Sequence, residues 1–127
     1  MRFQGLRALV VDADSSNAKL LQVILRAEGA DATTASSAEA ALSLFASFRP
    51  RLVITELEPA SIDGLELARK LRTTDASLAI VVVTSLNGPD AADRARAAGA
   101  DEYVRKPIDP IEIVTTIHRV LGTGENA

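Results

Sequence analysis

Cysteine and tryptophan are absent from this chain of 127 residues, and its aromatic side chains are limited to three phenylalanines and one tyrosine. Without cysteine, neither disulfide bonds nor thiolate metal sites can form, which fits a reducing compartment such as the cytoplasm. So few aromatic rings make stacking on nucleic-acid bases a poor hypothesis. No apolar run reaches the roughly 18 residues of a membrane-spanning helix, and we expect no signal peptide. These absences predict a cytoplasmic protein without a membrane partner.

Two enzyme classes and direct nucleic-acid binding are also disfavoured. The only histidine, His118, lies in the last predicted helix, so no Ser-His-Asp or Cys-His triad can be built around it. The segment after the first predicted strand reads DADSSN and lacks the glycine-rich loop of dinucleotide-binding enzymes. The net charge of −3 gives no basic footprint for a phosphate backbone. We therefore expect neither a small-molecule enzyme nor a direct nucleic-acid partner.

Five short apolar, β-branched runs alternate with five helical patterns. Runs such as LVIT and AIVVVT are apolar at consecutive positions, as expected for strands covered on both faces. The predicted strands are residues 6–11, 31–35, 51–55, 78–84 and 101–105. This alternation predicts an α/β fold, a doubly wound five-stranded parallel sheet of flavodoxin-like, three-layer type in the order 2-1-3-4-5, with two helices on one face and three on the other. The second strand is the most polar and is expected at an edge.

Helix boundaries can be predicted from capping residues. One of the residues 15–17 is expected to cap the first helix, and Ser36 with Glu39 forms a capping box for the second. Asp63 is the expected cap of the third helix, and Asp109 followed by Pro110 opens the fifth. Residues 1–122 form the predicted domain, and residues 123–127 are expected to be a disordered tail or a linker stub.

Polar residues follow four of the five predicted strands. Because the carboxyl ends of parallel strands meet at one edge of a sheet, these residues are expected to converge at a site. They are Asp12 and Asp14 after the first strand, Glu56 and Glu58 after the third, Thr84 after the fourth and Lys106 after the fifth. A single acidic residue at a strand end is usually a helix cap or a solvated loop residue, so the set is more informative than any member.

This pattern resembles the receiver domain of two-component response regulators from about Leu6 to Leu121. The matching residues are the acidic Asp12, the hydroxyl of Thr84, the aromatic Tyr103, the pair Lys106-Pro107 and the pair Asp63-Gly64. In that family the position of Glu56 is an aspartate that accepts a phosphoryl group. The resemblance implies a cis peptide bond before Pro107, and it makes Thr84 and Tyr103 the switch pair.

Three departures from the family pattern bear on mechanism. The second acidic residue of the pair, a direct Mg²⁺ ligand in receivers, is replaced by Ala13. The phosphoacceptor position holds Glu56, and the family's methionine-proline segment is displaced at residues 59–60. A displacement of about 1 Å at a reacting group can cost about 100-fold in rate, and glutamate is longer than aspartate by one methylene. We therefore expect phosphorylation at Glu56 to be lost.

The acidic residues leave two interpretations open. Asp12 and Asp14 lie on the same side of an extended backbone, so with Glu56 and Glu58 they could form an acidic pocket. One interpretation is a weak Mg²⁺ site with Asp12, Glu56 and Glu58 as ligands, impaired by the missing carboxylate at Ala13. The other is a solvated acidic rim without a cofactor, in which Glu56 pairs with Lys106.

The resemblance and its departures predict a non-enzymatic signalling module, a pseudo-receiver that acts by protein–protein interaction without a phosphorylation cycle. The partner is expected to be a kinase, an output domain or a downstream protein. The expected binding surface is the family's face of fourth helix, fifth strand and fifth helix, which carries Arg94, Arg96 and Arg105. Ile113 and Val120 are predicted to lie off the core stripe of the last helix, where they could support a homodimer.

Two alternatives remain. The first is a phosphotransfer-competent response regulator that accepts phosphate at Glu56 or another site. The second is a flavodoxin-like small-molecule enzyme, which is disfavoured because no nucleophile or cofactor loop is present. Labelling by a small phosphodonor in the presence of Mg²⁺ separates the first alternative from a pseudo-receiver.

Overall fold

A computed structural model describes residues 2–56, 63–85 and 89–122 of the chain. Five strands and five helices alternate in these ranges: β1 (Arg7–Val11), α1 (Ser15–Ala27), β2 (Asp31–Ala35), α2 (Ala38–Phe48), β3 (Leu52–Glu56), α3 (Asp63–Thr74), β4 (Ala79–Thr84), α4 (Pro89–Ala97), β5 (Glu102–Arg105) and α5 (Pro110–Leu121). The strands are all parallel and lie in the order β2-β1-β3-β4-β5, which confirms the predicted topology and the edge position of β2. The strand limits differ from the prediction by one residue at most.

Successive residues of the central strands serve two different cores, because side chains alternate between the faces of a sheet. In β1, Ala8 and Val10 belong to a cluster with α1 and α5, whereas Leu9 and Val11 belong to a cluster with α2, α3 and α4. All residues of β3 and β4 are buried. The division into two helices on one face and three on the other is confirmed. The helices cover both faces of the sheet, so the polar residues lie at the two ends of the strands, which we call the amino edge and the carboxyl edge.

Two helix caps differ from the sequence prediction by one residue. Asp14, not one of residues 15–17, caps α1, because its carboxylate accepts from the backbone N–H groups of Ser16 and Asn17. Ser37 rather than Ser36 caps α2, with its hydroxyl accepting from the N–H of Ala40 at 3.1 Å. Asp109 caps α5 as predicted. Asp63 is the first residue of α3, and the residues before it lie outside the described ranges, so its predicted capping role is not described.

The predicted apolar patch on α5 is wrong. Ile113 is 0 % exposed and Val120 packs against the core, so neither residue is free for a partner. The core stripe of α5 runs through Ile113, Ile117 and Val120, at the spacing of one helical face. Ile111 is instead the exposed aliphatic residue of this helix, with 79 % of its surface accessible.

Phe3 extends the core beyond the first predicted strand. Its side chain is 2 % exposed and belongs to the cluster with α1 and α5, and its N–H donates to the carbonyl of Glu28 at 2.7 Å. Among the helices of the described ranges, none has the length and apolar character needed to cross a bilayer. The tail predicted at residues 123–127 lies outside those ranges.

Candidate functional site

The carboxyl edge of the sheet brings together residues that are far apart in sequence. Glu56 is the last residue of β3, and Thr84 is the last residue of β4. Backbone hydrogen bonds continue the sheet for one residue beyond β1 and β5. The N–H of Asp12 donates to the carbonyl of Ala35 at 3.0 Å, and the N–H of Lys106 donates to the carbonyl of Thr84 at 2.7 Å. The peptide bond between Lys106 and Pro107 is cis, as the resemblance implied.

Glu56 is engaged through both of its carboxylate oxygens. Oε1 accepts from the backbone N–H of Ala13 at 3.2 Å, and Oε2 accepts from Nζ of Lys106 at 3.3 Å. The residue is only 7 % exposed. A charge-assisted bond is stronger than a neutral one and restricts the geometry of both partners. The carboxylate of Glu56 therefore joins the segment after β1 to the segment after β5, and the predicted Glu56–Lys106 contact is present.

Asp12 lies beside this contact and is even less accessible, at 3 % exposure. Its Oδ1 accepts from the N–H of Asp14 at 2.8 Å, and its Oδ2 lies 3.7 Å from Nζ of Lys106. Burial, with a smaller contribution from the neighbouring carboxyl group of Glu56, raises the pKa of Asp12 to about 6, and the N–H of Asp14 and the ammonium of Lys106 oppose the rise. Asp12 therefore binds a proton more readily than an exposed aspartate does.

Lys106 is the shared cation of the cluster. Its ammonium group lies within ion-pair distance of both carboxylates, and its side chain is 16 % exposed. When both carboxyl groups are ionised, this group of three side chains carries one uncompensated negative charge in a poorly hydrated place. Protonation of Asp12 removes that charge, and this adds to the effect of burial, which is the main cause of its raised pKa.

The other predicted site residues differ in burial, and not all of them join the cluster of Asp12, Glu56 and Lys106. Thr84 is buried at the end of β4, and Tyr103 is half-buried in β5, where it packs against the cluster of α2, α3 and α4. Asp14 is exposed and its carboxylate caps α1, so it does not join the buried pair as the sequence interpretation allowed. Glu58 and the displaced proline segment at residues 59–60 lie outside the described ranges.

Among the described residues of this edge, which do not include Glu58, the donor set does not suit a hard divalent cation. Mg²⁺ requires near-octahedral oxygen ligands, but Ala13 supplies no side-chain oxygen, and the ammonium of Lys106 contacts both nearby carboxylates. The oxygens of Glu56 are already hydrogen-bonded. Within residues 2–56, 63–85 and 89–122, no group of three or more His, Cys, Asp or Glu residues is arranged to hold a metal ion.

One functional group at this site was missed in the sequence. The interpretation treated Ala13 only as a lost carboxylate, whereas its backbone N–H is the donor that holds Oε1 of Glu56. The available signal was the position of Ala13 two residues beyond the end of the first strand, where backbone N–H groups have left the ladder and can bind an oxygen. A glutamate has the reach to accept that bond across the gap between β3 and the segment after β1.

Residues 8–118 of the chain match the sequence pattern of the response regulator receiver domain family. This chain belongs to the response regulator receiver family. The DNA-binding response regulator MtrA of Mycolicibacterium smegmatis is 34% identical over 120 residues, which cover 94% of this chain and 52% of that protein. The probable transcriptional regulator ycf27 of Cyanophora paradoxa is 33% identical over 128 residues, with 99% and 52% covered. The chain thus spans about half the length of these curated relatives.

Solved receiver structures agree with the fold. A putative response regulator from Chloroflexus aurantiacus has a TM-score of 0.86 at 29% identity, with 94% of this chain and 99% of that chain covered. The chemotaxis protein CheY4 of Vibrio cholerae also has a TM-score of 0.86, at 24% identity, with 92% and 99% covered. At that identity the second likeness supports the fold alone. The receiver module of a two-component response regulator is therefore established for this chain.

Proposed function

We propose that this receiver signals without a phosphorylation cycle, as a pseudo-receiver that acts by binding another protein. The observation that carries the proposal is the double engagement of Glu56 by Ala13 and Lys106 in a buried setting. In this interpretation the carboxylate of Glu56 makes the contact to Lys106 that a phosphoryl oxygen makes in phosphorylated receivers. The domain is a binding module and not an enzyme.

Two chemical requirements of phosphoryl transfer support the proposal. The nucleophile must be free and in line with the donor, but both oxygens of Glu56 accept hydrogen bonds and the side chain is buried. A divalent cation must neutralise the charge that develops, but Ala13 lacks the carboxylate that binds it in the family. We therefore propose that Mg²⁺ binds weakly if at all, and that Ala13→Asp tightens its binding.

The proposed partner surface is the face formed by α4, β5 and α5. Arg94 and Arg96 of α4 and Arg105 of β5 are exposed, and Tyr103 is half-buried and packs against the cluster with α2, α3 and α4. The curated relatives are about twice as long as this chain and are described as DNA-binding or transcriptional regulators. A kinase, an output domain or a downstream protein is accordingly the class of partner that we propose, with no direct contact to nucleic acid.

The proposal is tested by incubating the protein with acetyl phosphate and Mg²⁺ and measuring the intact mass. We expect no species heavier by one phosphoryl group in the wild type. A stoichiometric adduct that disappears in Glu56→Gln would show instead that this chain is a phosphotransfer-competent regulator.

The matched control restores the family's residues at both positions. The double variant Ala13→Asp/Glu56→Asp has the aspartate acceptor and the second acidic ligand, and it should acquire the adduct under the same conditions. Labelling of the double variant alone would show that the assay works and that these two positions are responsible. A wild type labelled as fully as the double variant would contradict the proposal.

A further inference from the structure

The strand β2 lies at the side of the sheet, and within the described ranges β1 is the strand it pairs with. The backbone N–H of Asp31 and the carbonyl of Ala35 both make hydrogen bonds on the β1 side. Because backbone groups alternate in direction along a strand, those of Ala32 and Thr34 point away from β1. We call this side of β2 the lateral edge. Such an edge presents backbone donors and acceptors to which a strand of another chain can bind.

Two side chains of α1 bind one of the outward carbonyls of the lateral edge. Nε2 of Gln22 donates to the carbonyl oxygen of Ala32 at 3.0 Å, and Nη2 of Arg26 donates to the same oxygen at 3.2 Å. Gln22 and Arg26 are four residues apart, so they lie on the same side of the helix. A carbonyl oxygen has two lone pairs, and here each has a donor. We call Gln22 and Arg26 the edge clamp.

The sequence of β2 otherwise favours the addition of a strand. It reads DATTA, which contains two β-branched threonines and no proline. In an antiparallel pair of two copies related by a twofold axis at Thr33, Ala32 of each copy lies opposite Thr34 of the other. Each opposite pair of residues exchanges two backbone hydrogen bonds, and both pairs require the carbonyl of Ala32. That carbonyl is the group that the edge clamp occupies.

We propose that Gln22 and Arg26 prevent this receiver from associating with a second copy through the lateral edge of β2. Pairing would break two hydrogen bonds in each copy and displace a charged guanidinium group from the strand. Covering an edge with charged side chains is a way in which soluble proteins prevent such pairing. If the two bonds served only to fasten α1 to the sheet, their loss would change stability and not association. The proposal is independent of the phosphorylation chemistry at Glu56.

Sedimentation velocity from micromolar to millimolar concentration measures the effect of removing the edge clamp. Gln22→Ala/Arg26→Ala should associate at least about tenfold more strongly than the wild type, because pairing no longer breaks the bonds to Ala32. Each single variant keeps one of the two donors and should lie between the wild type and the double variant. Lys19→Ala is the matched control. It removes a positive charge from the side of α1 that faces β2, leaves both bonds to Ala32 in place, and should behave as the wild type.

A proline at residue 34 tests whether the association passes through β2. Thr34→Pro removes an N–H that points away from β1, so the β1–β2 pairing is kept, and in the double variant it should abolish the added association. Hydrogen exchange by NMR is the second readout: the Thr34 amide of the double variant should become protected as concentration rises. The Asp31 amide, which bonds on the β1 side, should stay protected in every variant and so report an intact sheet.

Two results would overturn the proposal. The first is that neither single variant nor the double variant associates more strongly than the wild type while the Asp31 amide remains protected. The second is an added association that Thr34→Pro leaves unchanged, which would place the contact elsewhere on the surface.

Discussion

The amino and carboxyl edges of the sheet, formed by the two ends of its strands, both hold charged side chains with little access to water, but they balance those charges differently. At the amino edge, the guanidinium of Arg72 donates to the carbonyls of Ala76, Leu78 and Gly99 and pairs with Asp101 at 2.9 Å. Asp101 also accepts from the N–H of Ile80, so one cation and one anion are matched there. At the carboxyl edge, two buried carboxyl groups share a single lysine.

The two ends of the strands therefore differ in how completely their charges and hydrogen bonds are matched. A buried polar group is tolerated without cost only when its charge and its hydrogen bonds are all matched. The amino edge meets that condition and joins α3 to the strands β4 and β5. The carboxyl edge does not, since Asp12 and Glu56 repel each other when both are ionised, and such unbalanced pairs are characteristic of functional sites.

The largest effect is expected from breaking the amino edge. Arg72→Ala removes the hydrogen-bond donors to the carbonyls of Leu78 and Gly99, and the partly exposed pair with Asp101 adds little, so we expect a loss of about 3 kcal/mol in the free energy of unfolding. Urea denaturation measures it. Arg69→Ala, on the exposed side of the same helix, is the control and should change stability by less than about 0.5 kcal/mol. Equal effects of the two substitutions would contradict the role assigned to Arg72.

A smaller loss is expected from removing the shared cation at the carboxyl edge. Lys106→Met leaves Asp12 and Glu56 without a counter-charge and should destabilise the protein by about 2 kcal/mol at pH 7. The loss should shrink near pH 5, where Asp12 is protonated and needs no cation. Lys70→Met removes only an exposed ion pair with Glu66 and should have almost no effect on urea denaturation. A loss independent of pH would show that Lys106 stabilises the edge by packing alone.

Neutralising the carboxyl group of Asp12 should raise the free energy of unfolding at pH 7, whereas removing Lys106 should lower it. The pKa of Asp12 in the folded protein, about 6, is above its ordinary value of 3.8, so the folded protein binds this proton more tightly than the unfolded chain does. Its contribution to stability is therefore present at low pH and is lost as the pH rises through about 6, by at most about 3 kcal/mol. Asp12→Asn should remove this loss and make the protein more stable than the wild type by about 1–2 kcal/mol at pH 7.

An aspartate at the amino edge provides the contrast for Asp12. Hydrogen bonds from the side chain and the backbone N–H of Ser77 lower the pKa of Asp75, so its contribution is present above the ordinary pKa and is lost as the pH falls. Asp75→Asn should thus weaken the protein slightly at pH 7. If chemical denaturation between pH 4 and pH 8 gave both aspartate variants the same sign, the comparison of the two edges would be wrong.

Much of the fold and the centre of the site were predictable. The alternation of βα units with apolar strand runs indicates the sheet order, and parallel strands necessarily bring Asp12, Glu56 and Lys106 to one edge. The helix ends were less certain because Ser36 and Ser37 have the same capping chemistry, and only the backbone path selects one. Ile113 was misassigned because Val114, Ile117 and Leu121 also fit a helical stripe, and the tilt of α5 decides which stripe is central.

Contacts between distant residues could not be predicted from local patterns. The bond from Ala13 to Glu56 spans 43 residues and that from Arg72 to Gly99 spans 27. Each depends on the close approach of backbone segments, which no sequence period specifies. Both contacts involve backbone atoms, so the identity of the partner residue gives no signal.

The carboxylate of Glu56 already bridges the segments after β1 and β5, and hydrogen exchange of the Ala13 amide reports on this bridge directly. Ala13 is exposed, and its N–H donates to Oε1 of Glu56. Residue-resolved hydrogen exchange by NMR should show a protected Ala13 amide in the wild type and in Glu56→Gln, which keeps the acceptor oxygen. Glu56→Ala should lose that protection by about tenfold or more. An Ala13 amide that exchanges at the same rate in all three proteins would contradict the account.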